Sequence, residues 1–345
     1  MTRARLAPRR VLVCRTDNIG DVVLTLPLAG YLKQQVPGVQ VDFLVRAYAA
    51  PVVRQARFVD QVLALDEHDD FVSMFAEGGY DTVIFAFSNR YLAKAARRAG
   101  VPNRVGTSHR LFHWTTCNRL AHFSRARSAL HEAQLNFYLL EPLGLKGIPA
   151  LADIVPLYGL EAPRVPSVDV LRAQSAFNVI LHPKSNGNGR EWPLGHYTEL
   201  ARMLAHERGV TVWVTGSAAE GTRIAQEAPA LLALPHVRNL CGHVDLAGLV
   251  ALIGVADGLV ASGTGPLHIS AALGRPTLGL FPPIKPIDIG RWGALGAQAQ
   301  SISAAQRCAT CTGVASCTCM ADVTPAQVAA IVRAWRAQAR QEASA

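Results

Sequence analysis

The sequence predicts an α/β protein of two doubly wound domains, and three observations support this prediction. Strand-like apolar runs alternate with helical patterns along both halves of the chain, which is typical of βαβ units in a parallel sheet. Residues 11–21 and 259–268 each read as a buried strand, a glycine-containing turn and the start of a helix. The chain has 345 residues, 50% of them hydrophobic, which exceeds one ordinary core and fits two domains of roughly 150 residues each.

The first half of the chain, residues 1–157, predicts one complete domain. Its predicted strands are residues 11–14, 39–45, 61–65, 82–87 and 104–107. Helices such as 21–35 and 90–99 lie between them, and a helix over 131–143 closes the domain. We expect these units to form a parallel sheet with right-handed crossovers.

The second half repeats the pattern after a predicted linker at 158–175, where proline and polar residues are frequent. The second domain spans 176–322, with predicted strands at residues 178–182, 210–215, 237–240, 259–262 and 277–281.

A final helix is predicted within 323–345, because Thr324 is a good N-cap and Pro325 suits the first helical position. Its apolar face consists of Val328, Ile331, Val332 and Trp335. The sequence leaves open whether this face packs back on the first domain.

The net charge of +9 favours anionic partners. No helix-turn-helix pattern and no basic stripe interleaved with aromatic residues stands out, which argues against nucleic acid. No apolar run reaches the ~18 to 20 residues of a membrane span, and the apolar stretch near the N-terminus ends at Arg15. We expect a cytoplasmic protein, with peripheral contact on the cytoplasmic face of the inner membrane left open.

The cysteines fall into two groups. Cys14, Cys117 and Cys241 lie in apolar or mixed surroundings and read as buried small residues. The other four are close together in the sequence: Cys308, Cys311, Cys317 and Cys319. Zinc is the weaker interpretation of this cluster, because its C-x-C end departs from the usual ligand spacing. We favour a reduced or partly disulfide-linked loop and expect no metal and no cofactor.

The first glycine-containing turn carries three candidate site residues. Gly20 permits a tight turn, and Asp21 then falls at the entry to the next helix. An aspartate there is either a catalytic carboxylate or a simple helix charge, which the helix dipole stabilises by about 0.3 to 1 kcal/mol. Arg15 is either a phosphate ligand or an ordinary surface cation.

In the second domain, two loops follow predicted strands and suit an anion. The first contains Ser185, Asn186 and Arg190, although a solvated surface loop has a similar composition. In the second, Thr264 can cap a helix that starts at Gly265, so backbone N–H groups are available there. His268 follows in this helix and is either a structural or a functional histidine.

Several segments together carry a family resemblance. They are Arg15-Thr-Asp-Asn-Ile-Gly-Asp21 with the following residues to Pro27, the segment from His182-Pro to Trp192-Pro193, Val214-Thr-Gly-Ser217 with Glu220, and Thr264-Gly-Pro-Leu-His268 followed by Ala271-Ala-Leu-Gly274. Residues 131–144 and the cysteine segment are also similar. In this order the set resembles the lipopolysaccharide heptosyltransferases of glycosyltransferase family 9.

The resemblance implies a GT-B fold, in which two Rossmann-like domains face a central cleft. It also implies metal-independent, inverting transfer of a heptose from ADP-heptose to the lipopolysaccharide inner core. The acceptor would bind the first domain and the nucleotide sugar the second. By position, Asp21 would be the general base, and Arg15 with Gly20 would position the acceptor or donor.

On the donor side, the resemblance assigns the remaining candidates. Ser185, Asn186 and Arg190 would contact the diphosphate, and Glu220 would bind the ribose. Thr264 and Gly265 would form the phosphate-binding turn, and His268 would also bind the nucleotide sugar. Gly263 stands where relatives commonly have Asp or Asn, and Phe281-Pro-Pro stands where Phe-Gly-Pro is usual. Another nucleotide sugar, another glycoconjugate acceptor, and binding without turnover therefore remain alternatives.

Overall fold

Parallel β-sheets form the centre of two units in this protein, which a computed structural model describes for residues 6–174, 176–185, 189–307 and 318–344. The first unit ends at Glu161 and the second begins at Ala162, inside the segment predicted as a linker.

The described part of the first unit holds one sheet in the order β3-β2-β1-β4-β5-β6, with every neighbouring pair parallel. Its strands are β1 Arg10–Cys14, β2 Gln40–Val45, β3 Gln61–Ala64, β4 Thr82–Phe85, β5 Asn103–Thr107 and β6 Arg119–Ala121. Its helices are α1 Ile19–Val23, α2 Pro27–Gln35, α3 Ala50–Val53, α4 Phe71–Glu77, α5 Arg90–Arg98, α6 His113–Thr116, α7 Glu132–Phe137 and α8 Leu151–Ile154. Short 3-10 helices occur at Ala47–Ala49, Leu65–Glu67, Tyr138–Leu143 and Val155–Leu157.

The second unit repeats this topology, with a parallel sheet in the order β12-β11-β10-β7-β8-β9 among its described residues. Its strands are β7 Phe177–His182, β8 Val210–Val214, β9 Val237–Asn239, β10 Gly258–Ser262, β11 Thr277–Phe281 and β12 Ala299–Ser303. Its helices are α9 Pro166–Arg172, α10 Leu194–Ala205, α11 Ala218–Glu227, α12 Pro229–Leu232, α13 Leu246–Val255, α14 Gly265–Ala272, α15 Ile289–Trp292 and α16 Pro325–Ser344, with a 3-10 helix at Cys319–Asp322.

These two sheets confirm the predicted fold class of two Rossmann-like domains. In each sheet the strand order reverses between two central neighbours, β1 and β4 in the first and β7 and β10 in the second. The loops after these strands leave the sheet at its carboxyl edge, where doubly wound proteins bind their ligands.

Three local predictions need correction. The helix predicted over 21–35 is two helices, because Pro27 has no N–H for the bond that would continue α1. The predicted linker contains α9, which packs against α13. The edge strands β6 and β12 were not predicted, since each is short or half-exposed and lacks a continuous apolar run.

The final helix, α16, is capped as predicted. The Thr324 hydroxyl accepts from the Gln327 N–H at 3.3 Å, and the Gln327 side chain accepts from the Thr324 N–H at 2.9 Å. Val328 and Val332 are buried in the core of the second unit, where α16 packs on α10. The apolar face of the helix is therefore covered by the core of its own unit.

Cys14, Cys117 and Cys241 are buried and free, as predicted. Cys319 is buried and disulfide-bonded, whereas Cys308, Cys311 and Cys317 lie outside the described residues. Among the residues that the structure describes, no group of three or more His, Cys, Asp or Glu side chains is placed to hold a metal ion. Within the same residues, no helix combines the length and apolar character needed to cross a bilayer.

Candidate active site

The first unit has a cavity of about 500 Å³ at the carboxyl edge of its sheet. It lies beside the switch point between β1 and β4, because Arg15 directly follows β1 and Ala86 directly follows β4. The lining residues are Arg15, Asp17, Asp21, Ala86, Phe87, Ser88, His109, Arg110, Ser124, Arg125, Ala126 and Glu132.

Arg15 is buried at the centre of a charged network. Its Nε atom lies 2.8 Å from Asp17 Oδ1, and one Nη atom is paired with Asp21. The other Nη donates to the Ala86 carbonyl at 3.1 Å. All three nitrogens of this guanidinium therefore have protein partners. Arg15 is therefore not a surface cation, and its contacts orient Asp21. Its role toward a phosphate, acceptor or donor stays a prediction.

Asp21 lies in the first turn of α1, lines the cavity and has 16% of its side chain exposed. The Thr25 hydroxyl donates to the Asp21 carbonyl at 2.7 Å, which holds this turn where α1 ends. Gly20 belongs to the same turn and has an ordinary helical backbone, so its predicted role in a tight turn is wrong. The position of Asp21 thus comes from α1 and from Arg15 together.

Burial changes the acid–base properties of both aspartates. It raises the pKa of Asp17 to about 6, with Asp21 adding to the effect and Arg15 opposing it. Burial also raises the pKa of Asp21 above its ordinary value, again opposed by Arg15, while the charge of Glu132 adds to the rise. A raised pKa makes an ionised carboxylate a stronger base, which suits proton abstraction near neutral pH.

Glu132 and Arg125 complete the network, and the sequence did not single them out. Glu132 is buried in the first turn of α7, and its Oε1 lies 2.9 Å from Arg125 Nε and 3.9 Å from Arg15. Arg125 also donates to Asn136 at 3.2 Å, and Asn136 donates to the Leu24 carbonyl at 3.0 Å. The sequence did carry one signal for Glu132: it is an acidic residue in the first turn of a predicted helix, within the segment 131–144 that resembles the family.

In the second unit, two loops meet at the switch point of the sheet. A Cβ atom on Gly189, after β7, would lie 2.7 Å from the Gly263 carbonyl oxygen, after β10. A Cβ atom on Gly263 would lie 2.9 Å from the Phe281 ring. The Phe281 ring therefore leaves little room for a side chain at position 263.

Thr264 is the N-cap residue of α14 but does not cap it with its side chain. Only 8% of Thr264 is exposed, and its Oγ1 has no hydrogen-bond partner in the described part of the chain. An unpaired buried hydroxyl costs about 1 to 3 kcal/mol. Gly265 follows as the first residue of α14, whose leading N–H groups lack intrahelical partners. Unpaired donors at a helix N-terminus favour an anion there.

The loop after β7 is held by buried charge. Lys184 Nζ lies 3.3 Å from Glu191 and 2.8 Å from Glu227. Ser185 donates its hydroxyl to the Gly189 carbonyl at 2.9 Å, and its N–H donates to Glu191 at 3.0 Å. Ser185 thus closes the loop on itself, while Asn186 lies outside the described residues.

The remaining donor-side candidates take different positions. Glu220 forms a capping box at the start of α11, where its carboxylate accepts from the Ser217 N–H at 2.7 Å. His268 is buried in α14, with its ring centroid 6.4 Å from that of Trp292. Arg190 is half-buried beside Gly189. The structure therefore brings Thr264, Gly265 and the Gly189 loop to one edge, and Glu220 follows β8 of the same sheet.

Known proteins share this sequence pattern and fold. The profile of glycosyltransferase family 9 (heptosyltransferase) matches residues 77–319. Lipopolysaccharide heptosyltransferase 1 of Pseudomonas aeruginosa is 28% identical over 319 residues, covering 88% of this chain and 86% of that protein. The structure of E. coli ADP-heptose lps heptosyltransferase II has a TM-score of 0.73 and 22% identity, covering 95% of this chain and 99% of that one. The structure of E. coli heptosyltransferase WaaC with ADP has a TM-score of 0.72 and 20% identity, covering 94% of this chain and 99% of that one.

Proposed function

This chain belongs to glycosyltransferase family 9, and on that premise we propose that it moves a heptose from ADP-heptose to a hydroxyl group of the lipopolysaccharide inner core. We further propose that transfer inverts the anomeric configuration and needs no metal ion. The observation that carries the proposal is the partly exposed carboxylate of Asp21, held by Arg15 at the cavity of the first unit.

In the proposed mechanism, Asp21 accepts the proton of the acceptor hydroxyl. The acceptor oxygen forms a bond to the anomeric carbon while the bond from that carbon to the β-phosphate oxygen breaks, and ADP leaves. A single displacement of this kind inverts the configuration. A positioned base contributes about 10²- to 10⁴-fold to such a rate.

In the proposed mechanism, backbone N–H groups of α14 and the Thr264 hydroxyl stabilise the leaving group in the second unit. Negative charge develops on the β-phosphate as ADP leaves, and preorganised donors stabilise such charge effectively. The N-terminus of α14 supplies these donors, together with the Thr264 hydroxyl, which has no partner among the described residues. Arg190 adds a cation after β7. These groups give the leaving phosphate a stabilising site without a metal ion in the mechanism.

The acceptor side is suited to an anionic glycan. The cavity is lined by Arg110 as well as the charged network, and Arg110 has no ion pair among the described residues. Lipopolysaccharide inner cores that carry acidic sugars or phosphates would complement this cation.

The proposal is tested by incubating the purified chain with ADP-heptose and a truncated lipopolysaccharide that lacks heptose. We expect the acceptor to gain the mass of one heptose residue, at a rate that a chelator does not change, with inverted configuration by NMR. ADP-glucose, UDP-glucose and GDP-mannose serve as donor controls. Transfer only from one of these controls would show that the proposed donor is wrong, and donor binding without transfer to any acceptor would show a non-catalytic protein.

Thr264→Val should weaken donor binding and at the same time stabilise the unliganded protein. The substitution removes a hydroxyl that has no hydrogen-bond partner among the described residues, so the free energy of unfolding should rise by about 1 kcal/mol. Loss of a hydrogen bond to a charged phosphate should raise the Kd for ADP about 10- to 100-fold. Calorimetric titration and urea unfolding measure the two effects. Thr222→Val, at an exposed hydroxyl of α11, is the matched control, and unchanged ADP affinity in Thr264→Val would contradict the assignment.

A further inference from the structure

Positive charge is concentrated in one part of the chain. Residues 82–131 contain nine of the 34 lysines and arginines and none of the 25 aspartates and glutamates. The rest of the sequence is therefore balanced, and this segment accounts for the whole net charge of +9. The segment runs from β4 to the residue before α7, so it lies within the first unit.

The outer surface of α5 displays four of these cations. Arg90, Lys94, Arg97 and Arg98 are all exposed, and their spacing places them on one face of the helix. None of the four forms an ion pair with a described residue. The opposite face of α5 is apolar and packs into the core of the first unit.

Large apolar side chains are exposed beside this cationic face. Leu111 is 87% exposed, Tyr91 is 79% exposed and Trp114 is 58% exposed, the first two being the highest values among the large hydrophobic side chains described. Phe112 and His113, between Leu111 and Trp114, pack inward against each other with ring centroids 4.4 Å apart. The turn is anchored by these two residues, so the exposure of its other side chains is a defined feature of the fold.

The two groups belong to one surface. β4 and β5 are parallel neighbours, so Tyr91, which follows β4, and Leu111, which follows β5, lie at the same edge of the sheet. The Arg97 guanidinium donates to the Thr115 carbonyl, which joins α5 to α6. We call this surface the basic apolar face, defined by Arg90, Tyr91, Lys94, Arg97, Arg98, Leu111 and Trp114.

We propose that the basic apolar face docks on the surface of an anionic phospholipid bilayer. Unpaired cations near a membrane are attracted by the negative surface potential, each strengthening binding about five-fold. Trp and Tyr rings favour the interface between headgroups and acyl chains, and an exposed Leu can enter the acyl boundary. This inference does not depend on the transfer reaction.

A bilayer fits the face better than a nucleic acid does. Leu111 is its most exposed side chain, and an aliphatic tip neither stacks on a base nor bonds to a phosphate. Nucleic-acid surfaces combine cations with aromatic platforms, whereas here the Trp114 ring is tied to its own turn by a hydrogen bond from Nε1 to the Ser108 carbonyl at 2.7 Å.

The face also adjoins the cavity that contains Asp21. His109 and Arg110 line that cavity and directly precede Leu111. Docking through this face would place the cavity entrance close to the lipid surface.

The test is cosedimentation of the full chain with vesicles, without donor or acceptor. Vesicles of phosphatidylcholine with phosphatidylglycerol are compared with vesicles of phosphatidylcholine alone, over a series of salt concentrations. We expect binding to the anionic vesicles only, weakened by salt. The double variant Lys94→Gln with Arg98→Gln should weaken binding about 20- to 30-fold, and Leu111→Ser should weaken it several-fold.

Matched control variants remove two cations or one exposed apolar side chain at positions outside the basic apolar face. Lys146→Gln with Arg275→Gln removes two exposed cations, and Val170→Ser removes an apolar side chain that is 61% exposed in the second unit. Circular dichroism checks that every variant is folded. Equal binding to neutral and anionic vesicles, or equal losses in the face variants and the controls, would overturn the proposal. Loss of binding to a single-stranded oligonucleotide with unchanged vesicle binding would also overturn it and identify a nucleic-acid surface.

Discussion

Asp21→Asn should lower kcat for heptose transfer by about 10²- to 10⁴-fold while leaving the Kd for ADP-heptose unchanged. The amide has nearly the same shape as the carboxylate but cannot accept the acceptor proton, so the loss measures the contribution of a positioned base. Asp21 is in the first unit, whereas the proposed phosphate site at α14 is in the second. Steady-state kinetics with saturating donor and a binding titration separate the two quantities.

Asp17→Asn is the control that makes this prediction specific. Asp17 borders the same cavity, and its Oδ1 atom lies 2.8 Å from Arg15 Nε. The substitution Asp17→Asn therefore removes one negative charge from the same network as Asp21→Asn does. We expect a smaller loss of kcat from it than from Asp21→Asn. The opposite order would identify Asp17 as the base, and equal small losses would remove both aspartates from the proton transfer.

The pH dependence of the rate tests the same assignment. Burial raises the pKa of Asp21, and the base must be ionised to accept a proton. The rate should therefore fall as the pH decreases through a value above about 4, the ordinary pKa of an aspartate. A profile of kcat/KM that stays flat down to about pH 4 in the folded protein would contradict a buried aspartate base.

The sequence was sufficient for the parts of this protein that depend on local pattern. Strands such as β1 and β10 are continuous apolar runs followed by turn residues, so both the sheets and the loops at their carboxyl edges could be predicted. The position of Asp21 at the start of α1 could be predicted for the same reason, whereas its role as a base came from the family resemblance and stays a prediction.

Contacts between distant segments could not be read in this way. Glu132 reaches Arg15 from a helix more than a hundred residues later in the chain, and no periodicity connects the two. At Gly263, the room that a side chain would need is occupied by the ring of Phe281, which belongs to another strand. The four cations of the basic apolar face lie within α5, but Leu111 and Trp114 join them from a separate turn, and this combination could not be predicted from local pattern.

Some candidate residues make bonds within the protein that the sequence did not reveal. Glu220 completes a capping box, and Ser185 closes its own loop. Those bonds are made within the protein, so a role of either residue toward the donor stays a prediction. Thr264 shows the reverse case: a helix cap was expected, but its hydroxyl caps nothing and has no partner in the part of the chain that the structure describes.

Arg15→Met should have the largest effect on stability, a loss of about 3 to 5 kcal/mol in the free energy of unfolding. Removing the cation leaves Asp17, Asp21 and the buried Glu132 with less compensation, and an uncompensated buried charge costs that much. Urea unfolding measures the loss, and hydrogen exchange of β1 and β4 assigns it to the first unit. Arg202→Met is the control, because Arg202 and Glu199 form an exposed pair that contributes little.

Combining Arg15→Met with Asp17→Asn separates charge from packing. If uncompensated charge causes the loss, removing one carboxylate together with the cation should recover part of the stability, and the two changes should be non-additive. Activity should stay low in the double variant, because Asp21 would keep its charge but lose the arginine that orients it. Additive losses would mean that Arg15 acts mainly by filling space, and full activity in the double variant would show that Asp21 needs no orienting partner.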